Sequence, residues 1–142
     1  MLVLVFRYVN AYMFAMRNLV LFYAALADGN RLRLLNLMAG GEICVCHLQG
    51  VLQTNQPKIS RHLAYLRRAG LVETRRDGKW THYRLKKPGG KLGGILSESL
   101  ICVRNEPQIK RDLQRLKKIT CSPSRFGFST PRGAKSQNKT RL

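Results

Sequence analysis

Residues 56–85, QPKISRHLAYLRRAGLVETRRDGKWTHYRL, contain two periodicities that meet at Gly70. From Gln56 to Gly70 the apolar positions Ile59, Leu63 and Leu66 recur at i, i+4 and i+7, the spacing of one helix face. Pro57 suits the first turn of that helix, where its missing N–H is no loss, and Gly70 suits its C-terminal cap. The opposite side carries Lys58, Arg61, Tyr65 and Arg68. After Gly70 the pattern changes. LVETRR and WTHYRL are β-compatible runs joined through Asp77-Gly78, a strong hairpin signal. That hairpin bears Arg75, Arg76 and Lys79. A helix with a basic outer face, followed directly by a basic hairpin, narrows the fold before the rest of the chain is read.

Upstream, NLVLFYAALA (18–27) reads as a mostly apolar helix ended by Asp28-Gly29. Asp28 or Asn30 can cap the next helix, RLRLLNLMAG, in which Leu32, Leu35 and Met38 share one face and Arg31 and Arg33 stay off it. Gly40-Gly41 stops it. EICVCHLQGVL (42–52) is expected as a third short helix, with Glu42 near its start where the helix dipole favours an anion. Residues 53–55 form a polar turn. The expected fold is therefore mainly α: a winged helix-turn-helix with a two-stranded β-hairpin wing, occupying residues 18–104. Residues 105–121 form a C-terminal amphipathic helix with Ile109, Leu113 and Leu116 as its stripe. Residues 122–142 have no acids and are rich in Ser, Pro, Gly and bases, the composition of a basic disordered tail. The first helix and residues 92–119 carry more apolar face than one small core covers. The chain is thus expected to be a homodimer joined through its terminal helices.

The N-terminal stretch MLVLVFRYVNAYMFAMRNLVLFYAALADG is apolar enough to test as a membrane or signal segment. Arg7 and Arg17 interrupt it, so no run reaches the ~18 apolar residues a span needs, and no membrane partner is expected. Arg7 before a short apolar stretch suits a signal peptide, yet the stretch continues into a helical pattern with no processing site. Residues 1–17 are read as an N-terminal extension, with Met16 as an alternative start.

Charge points to the partner. Lys and Arg number 26 against 7 acids, a net charge of +19, which favours a polyanion and chiefly nucleic acid. A helix fits the major groove of double-stranded DNA with its N-terminal residues on the base edges. Gln56, Lys58, Ser60 and Arg61 lie on the first turns of the basic helix. Gln reads adenine and Arg reads guanine by paired hydrogen bonds, whereas Ser and Lys more often hold phosphate. His62 and Tyr65 fall at the edge of that face. Arg76 and Lys79, at the hairpin turn, are placed to reach phosphate or a minor groove. No C-x-x-C, paired carboxylates or Gly-rich phosphate loop argues for an enzyme.

Four cysteines, Cys44, Cys46, Cys102 and Cys121, do not make a secreted disulfide framework. In a reducing cytosol they stay thiols, and a cytoplasmic location is expected. A single cysteine in an apolar helix is commonly a small buried hydrophobe. Two at i and i+2 are different. In a regular helix they point ~200° apart and cannot grip one ion; in extended backbone they point the same way. Cys44 and Cys46 can therefore chelate only if the start of the third helix is unwound. Thiolates select soft or borderline ions.

LADGNRLRLLNLM, EICVCHL and PKISRHLAYLRRAGLVETRRDGKWTHYRL together resemble the ArsR/SmtB family of metal-responsive transcriptional repressors, over roughly residues 18–86. The resemblance implies a cytoplasmic homodimer that binds a palindromic operator and leaves it on binding an inducer. Family members with E-x-C-V-C-D-L respond to As(III) and Sb(III) through the two cysteines, commonly with a third a turn later. That implies As(III) or Sb(III) as the inducer ligand here, held by Cys44 and Cys46, with no organic cofactor. In this chain the third position is Gln49 and the usual Asp is His47. Cys121 is then the preferred third thiol, and Cys102, beside Ile101 and Val103, is expected in the core. His47 can offer nitrogen to a zinc-like ion, although an exposed helix histidine is the commoner role. Relatives that sense Cd(II) or Pb(II) add cysteines from an N-terminal arm, and those that sense Zn(II) use His and carboxylates on the dimer helix. This arm has no cysteine, and residues 92–104 offer Glu98 but no His. A repressor sensing another soft metal (Cd, Pb or Zn), one sensing thiol oxidation, and a non-specific basic nucleic-acid-packaging protein are the alternatives.

Overall fold

The computed structural model describes residues 1–119; Cys121 and the expected tail at 122–142 lie outside the described residues. The elements run α1 (Leu2–Leu26), α2 (Gly29–Met38), β1 (Ile43–Cys44), α3 (Val45–Leu52), α4 (Gln56–Arg68), β2 (Val72–Asp77), β3 (Trp80–Leu85), α5 (Lys91–Val103) and α6 (Pro107–Lys118). Local chemistry sets the helix starts. The Asp28 Oδ1 accepts a hydrogen bond from the Arg31 backbone N–H at 2.9 Å, and the Asn55 Oδ1 accepts one from the Lys58 N–H at 3.0 Å. Each satisfies a donor that the first helical turn leaves unpaired. Gly70 ends α4 with φ 75°, a left-handed conformation that its missing Cβ permits.

The hairpin β2–β3 pairs Val72 with Leu85 through to Asp77 with Trp80, as the turn residues require. It is not alone. β1 adds to the other edge of β3, giving an antiparallel sheet in the order β1-β3-β2 with Ile43 opposite Tyr83 and Cys44 opposite His82. The third helix therefore starts at Val45 and not at Glu42. A two-residue strand has no periodicity of its own; the free edge of β3 makes it a strand.

The core joins α1 through α5. Phe22, Leu34, Leu35, Leu37, Met38, Leu48, Val51, Ile59, Leu63, Leu66, Leu71 and Leu96 are all buried. α2 corrects the expected stripe: Leu34 and Leu37 are buried, while Leu32 is only partly so. The reason is that α2 touches α1, α3, α4, α5 and α6, so it is covered on more than one side. Arg33, expected off the buried face, reaches α6. Its Nε and Nη2 donate to the Asp112 Oδ2 and Oδ1 at 2.6 and 2.8 Å, and Asp112 is 1% exposed. A bidentate guanidinium is what makes a buried carboxylate tolerable there.

Two further expectations change. α1 does not begin at residue 18; it is continuous from Leu2 because neither Gly nor Pro interrupts it, and Arg7 and Arg17 break the apolar run without breaking the helix. By length and composition alone it is long and apolar enough to cross a membrane, with mean hydropathy 1.2 over its best window. Only Phe22 and Ala25 of α1 are buried, and Leu2, Leu4, Phe6, Tyr8 and Phe14 are widely exposed. Cys102, expected in the core, is exposed. α5 buries Leu96 and Leu100 at i and i+4, and Cys102 falls off that stripe.

Candidate nucleic-acid interface and cysteine site

α4 buries Ile59, Leu63 and Leu66 and turns Gln56, Lys58, Ser60 and Arg61 to solvent. These four expected DNA-contacting residues share the outward side of the N-terminal half of one capped helix. His62 does not join them. Its Nδ1 lies 3.7 Å from the Asp28 Oδ1, and its side chain is 16% exposed, so it packs at the junction of α1, α2 and α4. Tyr65 is also withdrawn from the edge of the face: the guanidinium carbon of Arg31 lies 4.4 Å from its ring centroid and that of Arg68 5.0 Å. Cations over an aromatic face stiffen this corner. In the wing, Arg76 and Lys79 are exposed on either side of the Asp77-Gly78 turn. Arg84 is spent on Glu73, at 2.6 Å, and Arg75 on Glu42.

The cysteine pair sits where strand becomes helix. Cys44 occupies the position before α3 with φ −68° and ψ 143°, which is extended backbone, and its side chain makes no cap hydrogen bond. Cys46 lies in the first helical turn. The change of backbone between them removes the ~200° divergence that a regular helix would impose. Their Sγ atoms are 3.1 Å apart, and Cys44 and Cys46 are 7% and 1% exposed. His47 is half-buried, with Nδ1 3.6 Å from the Cys46 Sγ, instead of being an exposed helix residue. The donor atoms of Cys44, Cys46 and His47 all lie within 4.8 Å of one another. Burial, and then the nearby His82, push the His47 pKa down, which favours the neutral imidazole. The spacing signal for His47 was present: it is three residues after Cys44, at the helical position whose side chain reaches back toward the cap.

Glu42, Gly41, His82, Leu113 and Leu116 border the cavity beside Cys44 and His47. Glu42 is not a helix-start anion as expected. Its carboxylate accepts from the Arg75 Nε at 3.0 and 3.2 Å, and the Arg75 guanidinium holds its carboxyl below the ordinary range. The buried, desolvated pair of sulfurs fits a thiophilic ion, and hard cations find few oxygens there.

Residues 28–74, from the cap of α2 into β2, match the family described as bacterial regulatory protein, arsR family. The chain is 51% identical over 96 residues to the arsenical resistance operon repressor of Escherichia coli K12, covering 66% of this chain and 82% of that protein. It is 53% identical over 64 residues to an arsenic resistance transcriptional regulator of Pseudomonas putida, covering 44% of this chain and 50% of that one, so it spans half the length of that relative. Among solved structures, the homodimeric winged helix-turn-helix DNA-binding domain of a possible ArsR-family regulator from Mycobacterium bovis superposes with a TM-score of 0.56 at 28% identity. It covers 65% of this chain and 83% of that domain.

Proposed function

Because the chain belongs to the ArsR family of bacterial regulatory proteins, we propose that it is an operator-binding repressor released from DNA by As(III) or Sb(III) through Cys44 and Cys46. The relatives it matches are regulators of transcription, not enzymes, and that membership displaces the reading as a packaging protein. The observation that carries the inducer is the 3.1 Å separation of two buried sulfurs at a strand-to-helix junction. When both are reduced to thiolates, two sulfurs converging in this way suit a soft, thiophilic centre. Two relatives named for arsenic resistance favour the metalloid over Cd(II), Pb(II) or Zn(II). Cys121 is the proposed third thiol.

On the DNA side, Gln56 and Arg61 read bases, while Lys58, Ser60, Arg76 and Lys79 hold the backbone. His62 supports α4 from behind instead of touching DNA. α3 packs against α4, so a ligand that draws Cys44 and Cys46 together acts next to the helix that reads the operator. The reading includes a homodimer in the cytoplasm, with half-sites ~10 bp apart. The exposed apolar length of α1 supports a partner copy, and the similar Mycobacterium bovis domain is homodimeric. No organic cofactor enters.

An operator gel shift titrated separately with As(III), Sb(III), Cd(II) and Zn(II) tests this. As(III) and Sb(III) should free the operator at the lowest concentrations. Release by Cd(II) or Zn(II) alone would replace the inducer. The close sulfurs also suit a thiol switch, and release by mild peroxide with none by arsenite would favour that second reading.

A further inference from the structure

Four side chains form one row across the three-stranded sheet. Cys44 on β1 lies opposite His82 on β3, and His82 lies opposite Arg75 on β2. Directly opposed residues share a face, and Glu42, two residues before Cys44, shares it as well. Glu42 closes the row: its carboxylate accepts from both the Nε and the Nη2 of Arg75 and lies 3.7 Å from the His82 Nδ1. β1 is only two residues long, so backbone pairing holds it weakly. The Glu42–Arg75 clasp is its second fastening to the wing.

We propose that Glu42 is the residue that couples the cysteine site to the wing: the clasp with Arg75 holds the wing in its DNA-binding orientation and opens when a ligand draws Cys44 and Cys46 together. This rests on the reading of those cysteines as the inducer site. Arg75 immediately precedes Arg76, and Lys79 lies across the turn, so what fixes Arg75 fixes Arg76 and Lys79, the exposed basic residues flanking the turn. Movement of Cys44 pulls on Glu42 through two peptide units. Arg75 then retains Asp77, 3.5 Å away, which belongs to the wing itself and carries no information about β1. Glu42 thus acts neither as an inducer ligand nor as a DNA contact. It sets how much one binding event changes the other, a coupling that in allosteric proteins is typically ~5–150-fold and reciprocal.

The test is a thermodynamic cycle on the full chain under reducing conditions. Operator affinity is measured with and without arsenite, and arsenite affinity with and without operator, for the wild type, Glu42→Gln, Arg75→Gln and the charge swap E42R/R75E. The single variants should bind operator more weakly without arsenite and lose most of the arsenite-dependent ratio, about tenfold of it within that range. Their arsenite affinity in the absence of DNA should be unchanged or slightly higher, and the swap should recover part of the ratio. Trp80, the single tryptophan and the first residue of β3, gives a second readout. Its fluorescence should respond to arsenite without DNA in the wild type and much less in Glu42→Gln. A Glu42→Gln protein with the wild-type ratio and Trp80 response overturns the coupling role while leaving the inducer site standing. A wild type that binds arsenite in neither state overturns the inducer reading and this inference with it.

Discussion

Helix α4 and the segment Glu42–His47 are near neighbours in the chain and are built in opposite ways. α4 is regular from its Asn55 cap to Gly70, and its proposed DNA contacts lie on the face that regularity turns outward. In Glu42–His47 the proposed inducer site exists because regularity fails, since the extended Cys44 ahead of the helical Cys46 brings the two sulfurs together. The proposed DNA-reading face is therefore encoded locally, by period and cap. The proposed sensing site is encoded at a distance, by the β3 edge that captures Ile43 and Cys44 and by the arginine of β2 that captures Glu42. A repressor needs one part that stays fixed and one that can be moved, and under the proposed function these two constructions would supply them.

If α4 is the fixed part, its footing should be expensive to disturb. Leu63→Ala removes a fully packed side chain and should destabilise the fold by ~2–5 kcal/mol in urea denaturation. Arsenite affinity of the remaining folded protein should hardly change; a large loss would mean that the two regions are not separable. Arg61→Ala should weaken operator binding by ~1–3 kcal/mol and relax sequence preference at one position, measured by competition with substituted operators. Loss of affinity for all sequences alike would make Arg61 a backbone contact. Asn55→Ala removes the α4 cap and should lower thermal stability by ~1 kcal/mol, with α3 and the cysteine site unaffected. Lys79→Gln should have the smallest effect: binding to every sequence weakens slightly, and the salt dependence of binding falls by ~1 per site. A change in specificity instead would move Lys79 from clamp to reader.

The contrast also explains what could be read in the chain. α4 and the hairpin were legible because Ile59, Leu63 and Leu66 and the Asp77-Gly78 turn each fix one element from within a few residues. The outward positions of Gln56, Lys58, Ser60 and Arg61 followed from the same period. β1 was not legible, because Ile43 and Cys44 are a strand only in the presence of β3. His62, expected at the edge of the basic face, is withdrawn from it instead, and its contact with Asp28 depends on where α2 starts in space. Arg33 and Asp112 are 79 residues apart, and neither position hints at the other. The condition for a cysteine site, an unwound start to α3, was stated by helix geometry; that it is met depends on a tertiary contact.

Whether Cys44 serves the inducer or the fold is decided by one titration. Cys44 holds the capping position of α3 without donating or accepting there, so Cys44→Ser places a favoured capping side chain where none acts. Operator binding by Cys44→Ser should match the wild type in fluorescence anisotropy, and arsenite should fail to release it at concentrations that free the wild type completely. Release of the Cys44→Ser protein at the wild-type arsenite concentration would mean that the pair is core packing and not the inducer site.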